Sequence, residues 1–487
     1  MGEKIKRSGG KLSELKEPKQ QYHSSVVQPK LFATETEAQL QTLRKEKVGT
    51  PRKVSQPLAS SVDIITWVTD GTHSRKNLKL FDDVSQLYEL LLARMEFLGL
   101  GRDLSLLRRR AAYFEEVNNE KSDHFFLSAV RGKGQIGHSN QYLTHWFYPY
   151  KGKYHGQMIK ALINFMGVGQ DCLILDPFVG SGTTLVECAT LGIPSIGIDI
   201  NPALCVVSQI KVDSLGIAYP ELQRELAKVK PLDIFQYFSQ KPGVAKKWLL
   251  GFNQLNQDAN LLLVQAWEQQ FPDGFVKELP DTWRNLLFLC YLHALSDHTY
   301  LQDTSKAMPF EQFFLRDLKE YLDTLSGTYR VLIDQHIEVC PPKVLFGTAL
   351  ELPVPSESVD GIITSPPYSI ALDYIKNDKH LLDYLGIDTS ELREQMVGLK
   401  GRSEEKIRFY RVDIKKSLQE MHRVLKPGCY AAILLGDVVV GTFRTNFAKE
   451  IVAWSKELAF SEAELIRRPI LGGYARLRYE YIILLKK

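Results

Sequence analysis

A chain of 487 residues, 44% hydrophobic and 24% charged, has the composition of a globular protein with a sizeable core, and its length favours two or three structural units. The net charge of +4 permits a polyanionic partner without demanding one. The six cysteines (172, 188, 205, 290, 340 and 429) form no CxxC pair, which argues against a disulfide frame or a structural zinc and fits a reducing compartment.

Residues 1–60 carry twelve Lys/Arg against six Asp/Glu. A segment so polar cannot offset its ordering entropy, so it reads as a disordered basic tail, either solubilising or touching phosphates. Its opening, MGEKIKRSGG, lacks the apolar stretch of a secretory signal, and Lys6 stands where a myristoylation match wants Ser or Thr. Apolar runs such as Leu261–Val264 and Leu286–Leu295 fall short of the ~20 residues that span a bilayer. These features predict a soluble, cytoplasmic chain with no membrane partner.

Residues 61–140 read as a helical N-terminal region, because Val84, Leu87, Leu91, Met95 and Leu98 recur at helical intervals. A Gly/Lys-rich stretch at 131–134 and an aromatic cluster from Trp146 to Tyr154 follow. From Asp171 short apolar strands alternate with helices. Residues 172–175 form a strand, Thr183–Leu191 a helix stopped by Gly192 and Pro194, and 196–198 the next strand. The rhythm resumes at Val344–Phe346, Val359–Ile363, Tyr430–Leu435 and Tyr479–Leu485. Alternation of this kind predicts an α/β fold with a parallel sheet. Residues 205–340 interrupt it with long amphipathic stretches and no convincing strand pair, so they read as a large inserted helical subdomain, with target recognition as a candidate role. No internal repeat is visible. The sheet domain would then be 141–204 together with 341–487.

Asp176-Pro177-Phe178-Val179-Gly180-Ser181-Gly182-Thr183-Thr184 follows a strand and opens a helix. Glycines there let the backbone turn sharply against a bound cofactor, and the helix N-terminus suits an anionic group. Asp199 follows Asp176 by 23 residues, near the ~20-residue distance at which such folds set an acid on ribose hydroxyls. As a strand-tip acid it has no evident packing role. Leu185 occupies the place of a third glycine and no Lys follows Gly182, so the patterns for pyrophosphate and nucleoside triphosphate are both absent.

Thr364-Ser365-Pro366-Pro367-Tyr368 ends another strand, at the sheet edge where open α/β folds place ligands. Consecutive prolines stiffen the turn, so the Ser365 hydroxyl and the Pro366 carbonyl can aim at one point. Tyr368 adds a flat face. Two fixed acceptors and a ring are what an amino group on a planar base requires.

With these two motifs the sequence resembles the amino-group DNA methyltransferases. Lys153-Tyr154-His155 is similar to the family's segment closing over the methionine end of the cofactor. His422-Arg423-Val424-Leu425-Lys426-Pro427-Gly428 with Leu435-Gly436-Asp437, and Glu480–Lys487, look like its later strands. The resemblance covers about 144–204 and 340–487. It implies a Rossmann-like sheet that binds S-adenosylmethionine through Asp176, Phe178, Gly180, Ser181, Gly182, Thr183, Asp199, Ile200 and His155. Ser365, Pro366, Pro367 and Tyr368 would be the catalytic residues, with no metal.

The implied partner is double-stranded DNA carrying a flipped target base, with a cognate restriction enzyme as a further partner. Ser before Pro-Pro is associated in the family with cytosine N4; adenine N6 methylation, an RNA base methyltransferase and a noncatalytic binder on a decayed fold are the alternatives. Two departures stand out. Gly156 replaces a common Pro, and Gly347-Thr348-Ala349 replaces Gly-Asp-Ala, which removes an acid expected near the cofactor's adenine. Candidate DNA contacts are Arg108–Arg110 and Lys400, Arg402, Lys406, Arg408 and Arg411, although charge runs are usually solvated faces. His293 and His298 read as structural.

Overall fold

The structure, a computed structural model, describes residues 64–73, 77–101, 103–131, 141–150, 152–240, 255–367, 373–401, 403–436, 438–440, 443–469 and 479–487. The basic tail, the Gly/Lys stretch at 132–134, Tyr368, Arg402 and Asp437 lie outside the described residues.

The strands among the described residues are β1 (Leu78–Leu80), β2 (Phe114–Val117), β3 (Glu120–Lys121), β4 (Ile174–Asp176), β5 (Ser195–Asp199), β6 (Gln257–Asp258) and β7 (Lys343–Phe346), followed by β8 (Val359–Thr364), β9 (Leu425–Gly436), β10 (Val438–Val440), β11 (Phe443–Thr445), β12 (Glu462–Pro469) and β13 (Tyr479–Lys486). Eight of them build one sheet in the order β12-β13-β9-β8-β4-β5-β7-β6. β9, β8, β4, β5 and β7 run parallel. The expected parallel sheet is therefore its centre, while β13, β12 and β6 run antiparallel to their neighbours at the two margins. This is a Rossmann-like α/β sheet.

The helix Thr183–Thr190 ends where the sequence predicts: Gly192 takes φ 69°, a conformation that L side chains rarely adopt. Two apolar clusters cover the sheet. One includes Leu175, Ile362, Leu418, Ile433 and Ile451. The other joins Leu185 and Val186 to Trp267, Phe288 and Tyr321, so the helices between residues 205 and 340 share a core with the glycine-loop helix. Within that stretch the longest helices are Asp281–Leu301 and Phe310–Asp334, and two-residue β6, paired with β7, is its strand.

The N-terminal region differs from the helical expectation. The helices Leu87–Gly99 and Leu104–Arg110 are present, but β1, β2 and β3 form a small antiparallel sheet beside them. The signal was Asn118-Asn119: both take positive φ (53° and 63°), as a tight two-residue hairpin turn requires. No helix among the described residues is long and apolar enough to cross a membrane.

Candidate functional site

The chain goes from β4 to β5 on one side, and β8 lies against β4 on the other. Such a reversal of strand order opens a crevice beyond the carboxyl ends of the strands. The glycine loop after β4 and the Ser365-Pro366-Pro367 turn after β8 meet in that crevice, a cleft of about 780 Å³ including its open mouth.

Asp176 fastens the two motifs together. Its Oδ1 accepts from the Thr364 hydroxyl at 2.7 Å and from the Phe178 backbone at 3.2 Å. Its Oδ2 lies 2.7 Å from the hydroxyls of both Tyr154 and Thr184. The carboxylate is buried beneath the loop and does not line the cleft. Burial raises its pKa, and the four donors act against that rise.

Asp199 also has the packing role the sequence did not disclose. Its Oδ2 accepts from Gly180 N at 2.9 Å and its Oδ1 from Asn201 N at 2.8 Å, so it shapes the loop as well as facing the cleft. Burial lifts its pKa to about 6, with nearby Asp176 adding to the rise. From below, buried Lys211 donates to the Ser181 carbonyl at 2.8 Å and to that of His145 at 3.1 Å. Gly182 caps the following helix with φ 80°, and a Cβ there would stand 2.8 Å from the Ser208 Cβ. This glycine permits close helix packing; it does not line the cleft.

Of the other anticipated residues, Phe178, Gly180, Ser181, Thr183 and Ile200 line the cleft, as do Ser365 and Pro367. Pro366 is buried and is not among the lining residues. His155 stands at the start of the helix Gly156–Phe165, with Nε2 3.0 Å from the Arg468 guanidinium, and is not part of the lining.

Sequence reasoning missed Tyr150, Tyr374 and Gln395 as lining residues, and reached Lys153 only as part of the segment expected to close over the cofactor. Tyr150 falls in the aromatic cluster noted earlier; Tyr374 and Gln395 carried no signal. The rings of Tyr150 and Tyr374 lie 6.2 Å apart and 23° from parallel. Lys153 Nζ donates to the carbonyls of Tyr148 at 2.7 Å and His145 at 3.0 Å, and burial draws its pKa down to about 7.

Gly156 has a physical explanation. A Cβ at this position would lie 2.5 Å from Glu187 Oε1, 2.8 Å from His145 Nε2 and 2.9 Å from the Tyr142 hydroxyl. Proline carries a Cβ and would collide with this buried group. Burial would raise the Glu187 pKa, but Lys160 at 3.3 Å, His145 and Tyr142 outweigh it and hold the carboxyl well below its ordinary range.

The proposed DNA contacts are mostly engaged internally. Lys400 pairs with Asp413 at 2.9 Å, Arg411 with Glu450 at 2.8 Å, and Arg108 with Glu120 at 3.5 Å. His293 Nδ1 accepts from Tyr148 N at 3.2 Å, the structural role anticipated for it. His293, Asp297 and Asp317 approach within 4.8 Å of one another, but the Arg316 guanidinium already engages both carboxylates.

Fold and cleft together define a nucleotide-cofactor α/β enzyme whose second motif faces the cofactor loop. Residues 117–209 match the sequence model of a DNA methylase family. The type II methyltransferase M.MjaII of Methanocaldococcus jannaschii is 25% identical over 69% of this chain and 78% of its own length. M.BsoBI of Geobacillus stearothermophilus is 24% identical over 52% and 55%, and M.MvaI of Kocuria varians 23% over 65% and 83%. These likenesses support the resemblance to amino-group DNA methyltransferases that the two motifs carry.

The cofactor of that family is S-adenosylmethionine. The cleft fits it chemically: a half-buried carboxylate at Asp199 for hydroxyls, an amine at Lys153 for a carboxylate, and apolar Phe178 and Ile200 for a flat base.

Proposed function

We propose that this protein methylates the N4 amino group of cytosine within a specific sequence of double-stranded DNA, acting on a base flipped from the helix. One observation carries the reading: the glycine loop and the Ser365-Pro366-Pro367 turn open into a single cleft and are joined through Thr364 and Asp176. When bound, S-adenosylmethionine supplies an electrophilic methyl on sulfur. The Ser365 hydroxyl and the Pro366 carbonyl accept hydrogen bonds from the amine and turn its lone pair toward the cofactor side. Tyr368 stacks on the ring, offsetting part of the unstacking cost of a few kcal/mol. The stiff Pro-Pro turn contributes orientation, and catalysis rests on positioning and electrostatics. The likeness to type II methyltransferases supports a sequence-specific target and a cognate restriction enzyme.

Mass spectrometry of nucleosides from treated duplex DNA tests the reading, with N4-methylcytosine the expected product. Ser365→Ala should slow transfer on the order of 10²-fold while cofactor affinity holds. N6-methyladenine would overturn the cytosine assignment alone. Carbon-5 methylation would overturn the chemistry, since that reaction needs a nucleophilic cysteine and none lines the cleft among the described residues. A tRNA (guanine(10)-N2)-dimethyltransferase of Methanothermobacter thermautotrophicus is 29% identical over 115 residues, so RNA belongs in the assay; transfer to RNA alone would refute the DNA assignment.

A further inference from the structure

A nucleotide whose base enters the cleft leaves its phosphates at the rim, because one sugar joins base and backbone. Asp373 and Arg393 stand at such a rim. Asp373 precedes Tyr374, a lining residue, and its side chain caps the helix Tyr374–Asn377 by accepting from Lys376 N at 3.0 Å. Arg393 comes just before Gln395, which also lines the cleft. The two side chains bridge these segments. Arg393 Nη2 donates to Asp373 Oδ1 at 3.0 Å and to Oδ2 at 2.9 Å, and both side chains stay more than a third exposed.

A second cation reaches the bridge from another element. Lys406 lies on the helix Ser403–Val424, half-buried and close enough to Asp373 and Arg393 to feel both charges. Tyr410, one turn further on, is buried within electrostatic reach of Tyr374, which keeps this part of the helix against the cleft. Lys406 Nζ has no hydrogen-bond partner and no close ion pair among the described residues. By contrast Lys400, Arg408 and Arg411 have acids of their own at 2.9, 3.5 and 2.8 Å. Burial lowers the Lys406 pKa; Asp373 opposes the fall and Arg393 adds to it. Two cations thus face one acid in a partly desolvated corner, and Nε and Nη1 of Arg393 are also unengaged among the described residues. A single further negative charge would balance the group, and a phosphate diester carries one.

We propose that Lys406 and Arg393 together hold a backbone phosphate beside the target nucleotide of duplex DNA. This rests on the reading of the cleft as the site of a flipped base. Arg393 has donors left for phosphate oxygens, and Lys406 adds a point charge. The inference separates one functional cation from a basic stretch whose other described members are held by acids of this chain.

The test measures the affinity of the full chain, with S-adenosylhomocysteine bound, for a duplex containing the sequence that the protein methylates. Lys406→Gln should weaken this complex about tenfold and make the slope of log affinity against log salt shallower by about one, whereas Lys406→Arg should retain both. Arg393→Gln should weaken it at least as much, because it also leaves Asp373 uncompensated. Uncharged methylphosphonates on either side of the target nucleotide should weaken the unaltered protein and abolish its advantage over Lys406→Gln. Affinity and slope unchanged in Lys406→Gln, or a loss that persists in full on the uncharged linkages, would overturn the proposal. So would an equal fall in S-adenosylhomocysteine affinity, which would place Lys406 on the cofactor. An unaltered protein that transfers methyl groups to no duplex DNA would overturn the proposed function, and this inference with it.

Discussion

Removing the Thr364 hydroxyl should unfasten the two halves of the cleft without touching anything that lines it. Thr364→Val is nearly isosteric and deletes one hydrogen bond, the 2.7 Å contact to Asp176 Oδ1. A hydrogen bond to a carboxylate contributes about 1.5–3 kcal/mol, and Phe178 N at 3.2 Å is left as that oxygen's remaining donor in the cluster. Asp176→Asn turns an all-acceptor group into one that must also donate. It forces the Tyr154 and Thr184 hydroxyls to reorient and should cost about 1–3 kcal/mol. Because the two residues touch, the double variant should show a coupling energy of about 1 kcal/mol or more. Urea unfolding gives these values as shifts in midpoint at unchanged slope. S-adenosylhomocysteine affinity should fall far less than stability, because neither side chain lines the cleft. An Asp176→Asn protein of ordinary stability that no longer binds the cofactor would refute the reasoning and make Asp176 a ligand.

Gly156→Ala should destabilise the fold by about 1–3 kcal/mol, read by urea unfolding, because its Cβ would press on Glu187 Oε1 at 2.5 Å; a neutral effect would mean that this buried group can yield. With its pKa near 6, Asp199 should lose its charge below that pH, and affinity for 5′-methylthioadenosine should drop about tenfold from pH 7 to pH 5. That probe lacks the amino-acid end, so the titration of Lys153 is silent, and Asp199→Asn should give a flat profile by calorimetry. For stability the sign is reversed. A carboxyl raised from 3.8 to about 6 on folding contributes stability below pH 4 that is lost as pH rises through 6, so Asp199→Asn should gain on the unaltered protein over that interval.

The sheet and both motifs could be read from the chain because strand–helix alternation, Gly-x-Gly and Pro-Pro are local patterns with local causes. The partners of those motifs could not. Nothing near Asp176 in sequence announces Thr364, and the burial of Lys153 and Lys211 depends on segments that meet only in three dimensions. Loop position and spacing point to Asp176 and Asp199 as ligands without disclosing that both accept hydrogen bonds that shape the loop, and of the two Asp199 alone faces the cleft. Strand β12 escaped notice because its polar sequence has no clear period-two alternation, and its pairing with β13 over eight registered positions defines it. The Asn-Asn turn between β2 and β3 is a legible hairpin signal set in a region that helical spacing dominates.

The placement of β8 between β4 and β9 sets a schedule for synthesis. β4 and β5 can pair soon after they emerge, but the flank of β4 that receives β8 stays open until the chain reaches Thr364, 188 positions after Asp176. At about 5–20 residues per second this exposure lasts about 10–40 seconds on a ribosome. Throughout that interval Ile174 and Leu175, fully buried in the finished protein, border an unpaired strand edge of the kind that recruits other chains. The helices made in the meantime, Thr183–Thr190 and Pro202–Asp213 first among them, join the other apolar cluster, so the flank of β4 waits for β8.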